Sequence, residues 1–574
     1  MRINDFGFLR KMPLGHSNKA LVAIVTMASW FVGGPVAACA QTLPAFNWIR
    51  EVDDSGLAYP FAGLGTDALG NVYVAGSTKS PDFPVKAAVQ DHLATAGSYD
   101  VFVAKFDPAG NVVYSTYFGG SANDIARAMT VDAAGNVHVT GTTASQDFPT
   151  TPGSWSPSMP AALPSNLADS SAYQGAIFVF RLNPDGSLAY ATYFTSNFTP
   201  AVPQSIAVDS SGAVYLTGVT FGGVPVTAGA YRTTCGCVSV QGLGAVFPTA
   251  DAFVAKFDPS GSKLTYATYL GTSQEDASTA NVIAAAPDGS AYLGNRTGIY
   301  RFDPTGSAIL ASAAPRVAAH ALLVAPGGQV YIAGQPGTGD VPFQSTSGAF
   351  QPLAGAGTLP VGIMAMDPAL GNTLAATYFG VAGDLSAYTL ALDASGNLYI
   401  GGGTKVGGLP TRTPLQIGFG GSLATGYVAE LSGDLSSLLF SSYFGDGEFF
   451  YVTGLGVGAD GSFVLAGATD RGTVWANSVQ PAAPLPALRI DSVENAASRL
   501  AVPISPGETI VVRGAGFGSG AQLFLGGAAV PAISVIADAI TSVVPSNLDL
   551  GPITVQVQSG GLTSNPVLLN VIAR

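Results

Sequence analysis

The chain has 574 residues with 47% hydrophobic and 10% charged side chains, too long for one hydrophobic core and, despite 73 Gly and 38 Pro, too apolar to be disordered or collagen-like. A formal net charge of −13 with no Lys/Arg cluster argues against nucleic acid and anionic lipid as partners. So little charge leaves the surface to Ser, Thr, Asn, Gly and backbone, a habit of exported β-proteins.

Residues 1–40 read as an export signal. Arg2, Arg10, Lys11 and Lys19 precede the apolar run Ala20–Val32, followed by Gly33–Pro35 and an A-x-A site ending at Ala40. Val36–Cys39 also reads as a lipobox, which would make Cys39 a lipid-anchored N-terminus; an uncleaved anchor is the third option. Later apolar runs are strand-length, so no membrane span is expected in the mature chain. The expected location is secreted or in the cell envelope, with a lipoprotein as the alternative.

From residue 44 to 477 two short units alternate. The first is an apolar run, a D-x-x-G-N turn and a second apolar run, as in Asp67–Thr78, Asp132–Thr143 and Asp393–Thr404. Seven copies are marked by Gly70, Gly135, Gly212, Gly289, Gly328, Gly396 and Gly461. The second unit is clearest at Asp251–Gly271, recurs from Asp100 and Ala176, and weakens at Ile299, Ile363 and Tyr427. A degenerate seventh copy is Trp48–Phe61.

Each unit is a hairpin: Pro presets φ, Gly accepts φ > 0, and Asp or Asn bonds its own local backbone. Runs such as "AFVAKF" are nearly all apolar rather than strictly alternating, which predicts strands buried on both faces. The pattern predicts an all-β, seven-bladed β-propeller with four-stranded blades. The last blade has its inner hairpin near residues 450–469, and the N-terminal hairpin at Trp48–Phe61 closes the ring, leaving no open edge. The stretch from Gly70 through the D-F-P at Asp147–Pro149 is similar to the SBBP repeats of bacterial secreted proteins. The resemblance covers roughly residues 46–470 and implies a propeller without implying a reaction.

Residues 478–489 are a Pro/Ala linker. Residues 490–574 hold short strands without the repeat, suited to a small Ig-like β-sandwich. "ISPGETIVVRGAGFG…SNPVLLNV" resembles IPT/TIG modules, and the opening "SVENAAS" resembles a C-terminal domain of secreted acidobacterial proteins. The module itself reads as a spacer or surface-docking unit, with direct ligand recognition as the alternative.

Chemistry is sparse. His92, His138 and His320 form no zinc motif, and no G-x-S-x-G elbow is present. Cys235 and Cys237 form a lone C-G-C, either a disulfide or free thiols. The turn residues Asp107, Asp258, Asp303 and Asp367 read as structural. Asp124, Asp276, Asp384 and Glu448 each precede the innermost strand of the next blade, where they could ring the channel mouth. There they could hold Ca²⁺ or a cationic or polyhydroxyl ligand, or instead cap their own loops; no other cofactor is expected. The same face should carry the long loops within blades, whose aromatics Phe83, Phe148, Trp155, Tyr173 and Tyr231 suit either ligand contact or packing over the blades. The expected function is an exported, non-enzymatic binding or scaffold protein that presents this face to an extracellular carbohydrate or protein ligand. The alternatives are a propeller lyase or glycosidase acting on extracellular polysaccharide, and a purely structural envelope protein.

Overall fold

The computed structural model describes residues 45–572 except 54–57, 160–174, 195–200, 272–281, 338–341, 355–359, 381–384, 420–423, 445–449, 470–473, 481–487, 499–502 and isolated positions. The export-signal reading and Cys39 therefore lie outside the described residues. The chain separates into the units Met1–Ala40 and Gln41–Arg574. Every described element is a β-strand.

Residues 45–480 form seven four-stranded antiparallel sheets, and the third blade's loop adds a two-stranded ribbon, Ser239–Gly242 with Ala245–Pro248. The first blade runs Ala58–Thr66, Val72–Thr78, Asp100–Phe106, Val112–Phe118, and the second Asp124–Val131, Val137–Thr143, Ala176–Leu182, Leu188–Phe194. The third runs Ala201–Val208, Val214–Thr220, Asp251–Phe257, Leu264–Tyr269, and the fourth Val282–Ala285, Ala291–Gly294, Ile299–Phe302, Ile309–Ala313. The fifth is Val317–Val324, Val330–Pro336, Val361–Met366, Thr373–Phe379, and the sixth Leu385–Leu392, Leu398–Thr404, Thr425–Leu431, Leu438–Phe444. The seventh joins Phe450–Val457, Phe463–Thr469 and Val474–Gln480 to Ala45–Asp53. The innermost strand of each blade packs on that of the next, and Phe450–Val457 packs back on Ala58–Thr66.

The seventh sheet corrects two expectations. It is closed by one N-terminal strand, not by a hairpin: Ala45–Asp53 pairs with Val474–Gln480, from Ala45 opposite Gln480 to Asp53 opposite Val474. Ala58–Thr66 is instead the innermost strand of the first blade, paired with Val72–Thr78. The reason is that the D-x-x-G-N turn at Asp67 needs a strand before it, and one strand cannot serve two hairpins. The expected linker start also moves, because Ser478 and Val479 are buried in the seventh blade.

The repeated turns stitch one blade to the next. Asp67 Oδ1 accepts the N–H groups of Leu69 and Asn71 at 3.0 and 2.9 Å, and its Oδ2 accepts Asn71 Nδ2 at 2.7 Å and the Tyr73 hydroxyl at 2.9 Å. Counterparts of Tyr73 reach the following blade: Tyr215 donates to Gly289 O, Tyr292 to Pro368 O and Tyr331 to Gly433 O. The outer-turn glycine explains its own recurrence. Gly306 has φ +68°, and a Cβ there would stand 2.2 Å from the Tyr266 ring of the preceding blade. Only a residue without a side chain lets that turn lie on that ring.

The C-terminal residues form two packed sheets. One is Arg489–Asn495, Thr509–Ala515, Ala539–Val543 and Ala532–Ile536; the other holds Ala528–Val530, Gln522–Leu525, Gly551–Ser559, Leu562–Thr563 and Val567–Val571. Their inward side chains, among them Ile490, Val512, Leu523, Ile540 and Val555, make one core. The Gly-rich stretch Gly514–Gly520 ends a strand and seats the buried Phe517.

Candidate functional site

The long loops emerge on the face where each innermost strand begins, opposite the tight turns. Within a blade, each long loop connects the second strand to the third. In five blades it then lies along that blade's outermost strand. In the first blade, Lys86 and Ser115 exchange backbone hydrogen bonds at 3.0 and 2.9 Å, and Tyr117 N donates to Gln90 O at 3.0 Å. The second, third, fifth and sixth blades repeat the pattern: Thr151 N to Ala191 O, Thr227 N to Ala267 O, Thr346 N to Ala376 O, Arg412 N to Ser441 O. The loops thereby satisfy strand edges that would otherwise be open templates for pairing.

Two side chains at the end of each covered strand hold the loop. The hydroxyls of Thr116, Thr192, Thr268, Thr377 and Ser442 accept loop N–H groups at 2.9–3.0 Å. The adjacent tyrosine hydroxyls bond loop backbone: Tyr117 donates to Ser80 O at 2.7 Å and accepts Phe83 N at 3.0 Å, Tyr193 donates to Ser145 O, and Tyr378 to Phe343 O. The loop aromatics follow suit. Phe83 and Phe148 are buried, Phe83 against Phe102 and Phe148 against Phe178. Trp155 packs on Phe194 and Phe257, while Tyr231 stays 41% exposed over Phe302. Tyr173 lies outside the described residues.

The acidic set splits. Asp276, Asp384 and Glu448 lie outside the described residues, so the structure places only Asp124. It is fully buried rather than open at a channel mouth. Its Oδ2 accepts Gly120 N at 2.6 Å and the Ser145 hydroxyl at 2.9 Å, tying the start of the second blade to its own loop.

Asp100 is also fully buried, and its Oδ2 accepts Gln90 Nε2 at 2.7 Å and Ala94 N at 3.0 Å. A Cβ on Gly119 would stand 2.7 Å from Asp124 Oδ2 and 2.8 Å from Asp100 Oδ1. The two carboxyls are therefore close neighbours across a glycine. Oδ1 of each has no hydrogen-bond partner. Burial pushes Asp100 up to about 6 against the bonds from Ala94 and Gln90. Burial pushes Asp124 up to about 8, with the Asp100 charge adding to it. Nearby Asp147 is held low: burial would raise it, but bonds from Ser121 N and Oγ outweigh that. Asp251 repeats the device in the third blade, accepting Gly236 N at 2.6 Å and Gly271 N at 2.7 Å.

The remaining candidates lie apart. Cys235 and Cys237 are disulfide-bonded, at the loop position that Asp251 holds. His138 is buried with Nε2 3.4 Å from Asp132 Oδ2, whereas His92 is exposed beside Asp91. Among the described residues no group of three or more His, Cys, Asp and Glu converges to hold a metal. A groove of about 460 Å³ runs between the sixth blade's loop at Gly408–Arg412 and the sandwich residues Asp491, Glu494 and Arg513. Within it Arg513 pairs with Glu494 at 3.0 Å and Asp491 with Arg489 at 2.8 Å, and Arg412 donates to the Leu438 carbonyl.

Residues 113–149 match the model of the beta-propeller repeat SBBP, and residues 495–571 that of the IPT/TIG domain. The chain carries an SBBP propeller repeat and a TIG domain. The matched SBBP segment crosses a blade seam, from the outer strand of the first blade through Gly119 and Asp124 to the second blade's loop. It thus contains a Thr-Tyr anchor and the buried carboxyl that the anchor's blade meets. No curated protein matches the chain. Similar solved structures include a chain of the mitotic checkpoint complex, 10% identical with TM-score 0.39, covering 77% of this chain and 98% of that one. Saccharomyces cerevisiae Sqt1 is 9% identical with TM-score 0.35, covering 77% and 99%. An acylaminoacyl peptidase is 9% identical with TM-score 0.38, covering 82% of this chain and 60% of that chain. Likeness at this level identifies no function.

Asp100, Gly119 and the Thr-Tyr anchors were not singled out as a set by sequence reasoning. Their signal is present in the repeat as the T-Y pair at Thr116, Thr192, Thr268 and Thr377, each followed by tyrosine. What conceals it is that their partners lie 26 to 48 residues away.

Proposed function

We propose that this chain is an exported, non-enzymatic binding or scaffold protein whose loop face meets an extracellular carbohydrate or protein ligand. The observation that carries the reading is the set of five loops on one face, each fixed to its own blade by the same hydroxyl and tyrosine anchors. Loops held by a rigid frame are a common basis of recognition, and preorganisation lowers the ordering cost of binding. The adjoining TIG domain supports a binding or scaffold role. The non-enzymatic reading is supported by how the acids are used. Asp100 and Asp124 have separated pKa values, as an acid/base pair requires, but their burial gives a substrate no access to them.

The test is a glycan-array screen of the secreted chain, with Ca²⁺ and then with EDTA. A specific, saturable hit is expected if the ligand is a glycan, and substitution of exposed loop residues such as Tyr231→Ala should weaken it. A blank array would remove the carbohydrate branch and leave a protein ligand. Turnover of any polysaccharide in the array would overturn the non-enzymatic reading.

A further inference from the structure

Five blades hide their outermost strand beneath their own loop; the fourth and seventh do not. The seventh, whose second and third strands are joined by residues 470–473, has no long loop for its outer strand Ala45–Asp53 but carries Arg50, Glu51 and Asp53 along it. The fourth blade's second and third strands are joined by residues 295–298 alone. Where the third blade has the anchors Thr268 and Tyr269, the fourth has Ala313 and Ala314 at the same offset from the Asp-Pro turn. In the third blade the loop engages Ala267 O, Ala267 N and Tyr269 N, each at 3.1 Å. Their counterparts are Ser312 O, Ser312 N and Ala314 N, and among the described residues no backbone hydrogen bond reaches them from outside the sheet. Leu310 on this strand is 54% exposed.

The charge at this edge is also inverted. The buried Asp251 and its partner Gly271 are replaced, at the same offsets, by Arg296 and Arg316. Both arginines are exposed and neither forms an ion pair among the described residues. They flank the end of the strand at Ala313. The other end, before Ile309, carries the Asp303 turn, whose carboxylate is held by Ser307 N and Ala308 N at 2.7 and 2.8 Å.

We propose that the bare outer strand Ile309–Ala313 pairs antiparallel with the same strand of a second copy of this chain. A two-fold contact is self-complementary: it sets the arginine end of one strand against the Asp303 end of the other. It also lets Ser312 and Ala314 make the rungs that loops supply elsewhere, joining two blades into one sheet. The ordinary defences of an edge, a covering loop or a lysine or proline within the strand, are absent from Ile309–Ala313. The overall negative charge of two copies opposes the contact but is screened beyond about 8 Å at physiological salt. One short strand buries less than the roughly 1,200 Å² of stable interfaces, so the dimer is weak and reversible.

Sedimentation equilibrium of the full chain across a wide concentration range tests this. A monomer–dimer equilibrium is expected. Ser312→Pro, which removes an outward N–H without touching the inner ladder, should weaken it at least about tenfold, a loss of roughly 1.4 kcal/mol. Arg296→Asp with Arg316→Asp should weaken it similarly, and this pair of exposed changes keeps the test valid if the proline variant melts early. A chain that stays monomeric throughout overturns the proposal, whether or not it binds a glycan or an acidic peptide. A dimer whose affinity neither variant moves overturns it too, because the contact then lies elsewhere.

Discussion

The third and fourth blades are neighbours built on the same Asp-Pro-x-Gly outer turn, yet they finish differently. The third ends in Thr268 and Tyr269, which pin a long loop along its outer strand, with Asp251 holding the disulfide segment above. The fourth ends in alanines, has a four-residue connection and exposes Leu310. Loop and anchors are present together or absent together. Long loops in this fold are therefore first a means of closing strand edges, and only their outer surfaces remain for recognition. The loop aromatics show the division within one structural family: Phe83 and Phe148 are spent on packing, and Tyr231 is half free.

The comparison can be broken most severely at the seam between these two blades. Gly306→Ala should cost about 3 kcal/mol or more, since its Cβ meets the Tyr266 ring at 2.2 Å in a left-handed backbone conformation. A large fall in Tm is expected, and an unchanged Tm would show that the ring can move aside. A second test uses pH in the first blade. Asp100 and Asp124 have folded pKa values raised above the unfolded carboxylate value. Their contribution is complete below about pH 4 and is lost as pH rises through about 6 and then 8. Stability should thus decline by a few kcal/mol between about pH 4 and pH 8, and Asp124→Asn should flatten the upper part of that decline. Denaturant melts at stepped pH would detect this, and an unaltered profile in the variant would remove the buried acid as its cause.

Tyr269→Phe isolates the anchor. It removes the hydroxyl that bonds Gly222 O and Val224 O at 3.1 Å and should cost about 1–2 kcal/mol. Hydrogen exchange should accelerate at residues 222–232 and stay unchanged in the fourth blade; equal acceleration in both would mean that the anchor acts on the whole ring. The smallest effect is expected at the bare edge, where Leu310→Lys should change stability by less than about 0.5 kcal/mol. A clear loss in dilute solution would mean that Leu310 is covered in the isolated chain.

Much of this was legible in the residues, and the exceptions have physical causes. The D-x-x-G-N and D-P-x-G turns and their degenerate copies, each inner one keeping its glycine, marked the blades because Asp, Pro and Gly act on backbone a few residues away. The closing strand was misplaced because "VDDSGLAY" imitates an outer turn, while its true pairing to Val474–Gln480 spans almost the whole ring. Asp124 was expected just before an innermost strand and is the first residue of one, Asp124–Val131, but its depth depends on Ser145, Gly120 and Asp100, which belong to other segments. The loops drew attention by length and aromatic content, and neither property distinguishes a ligand contact from an edge cover.

By itself, then, the sequence determined the local grammar: short buried strands, the turns between them, their alternation, and a separate β-module at the end. Those depend on φ preferences and on hydrogen bonds that close within a few residues. The tertiary structure alone decided which strand completes the last blade, which carboxyls lose their water, and which edges a loop covers. These are settled by contacts between distant segments, where a hydroxyl finds or lacks a loop to hold.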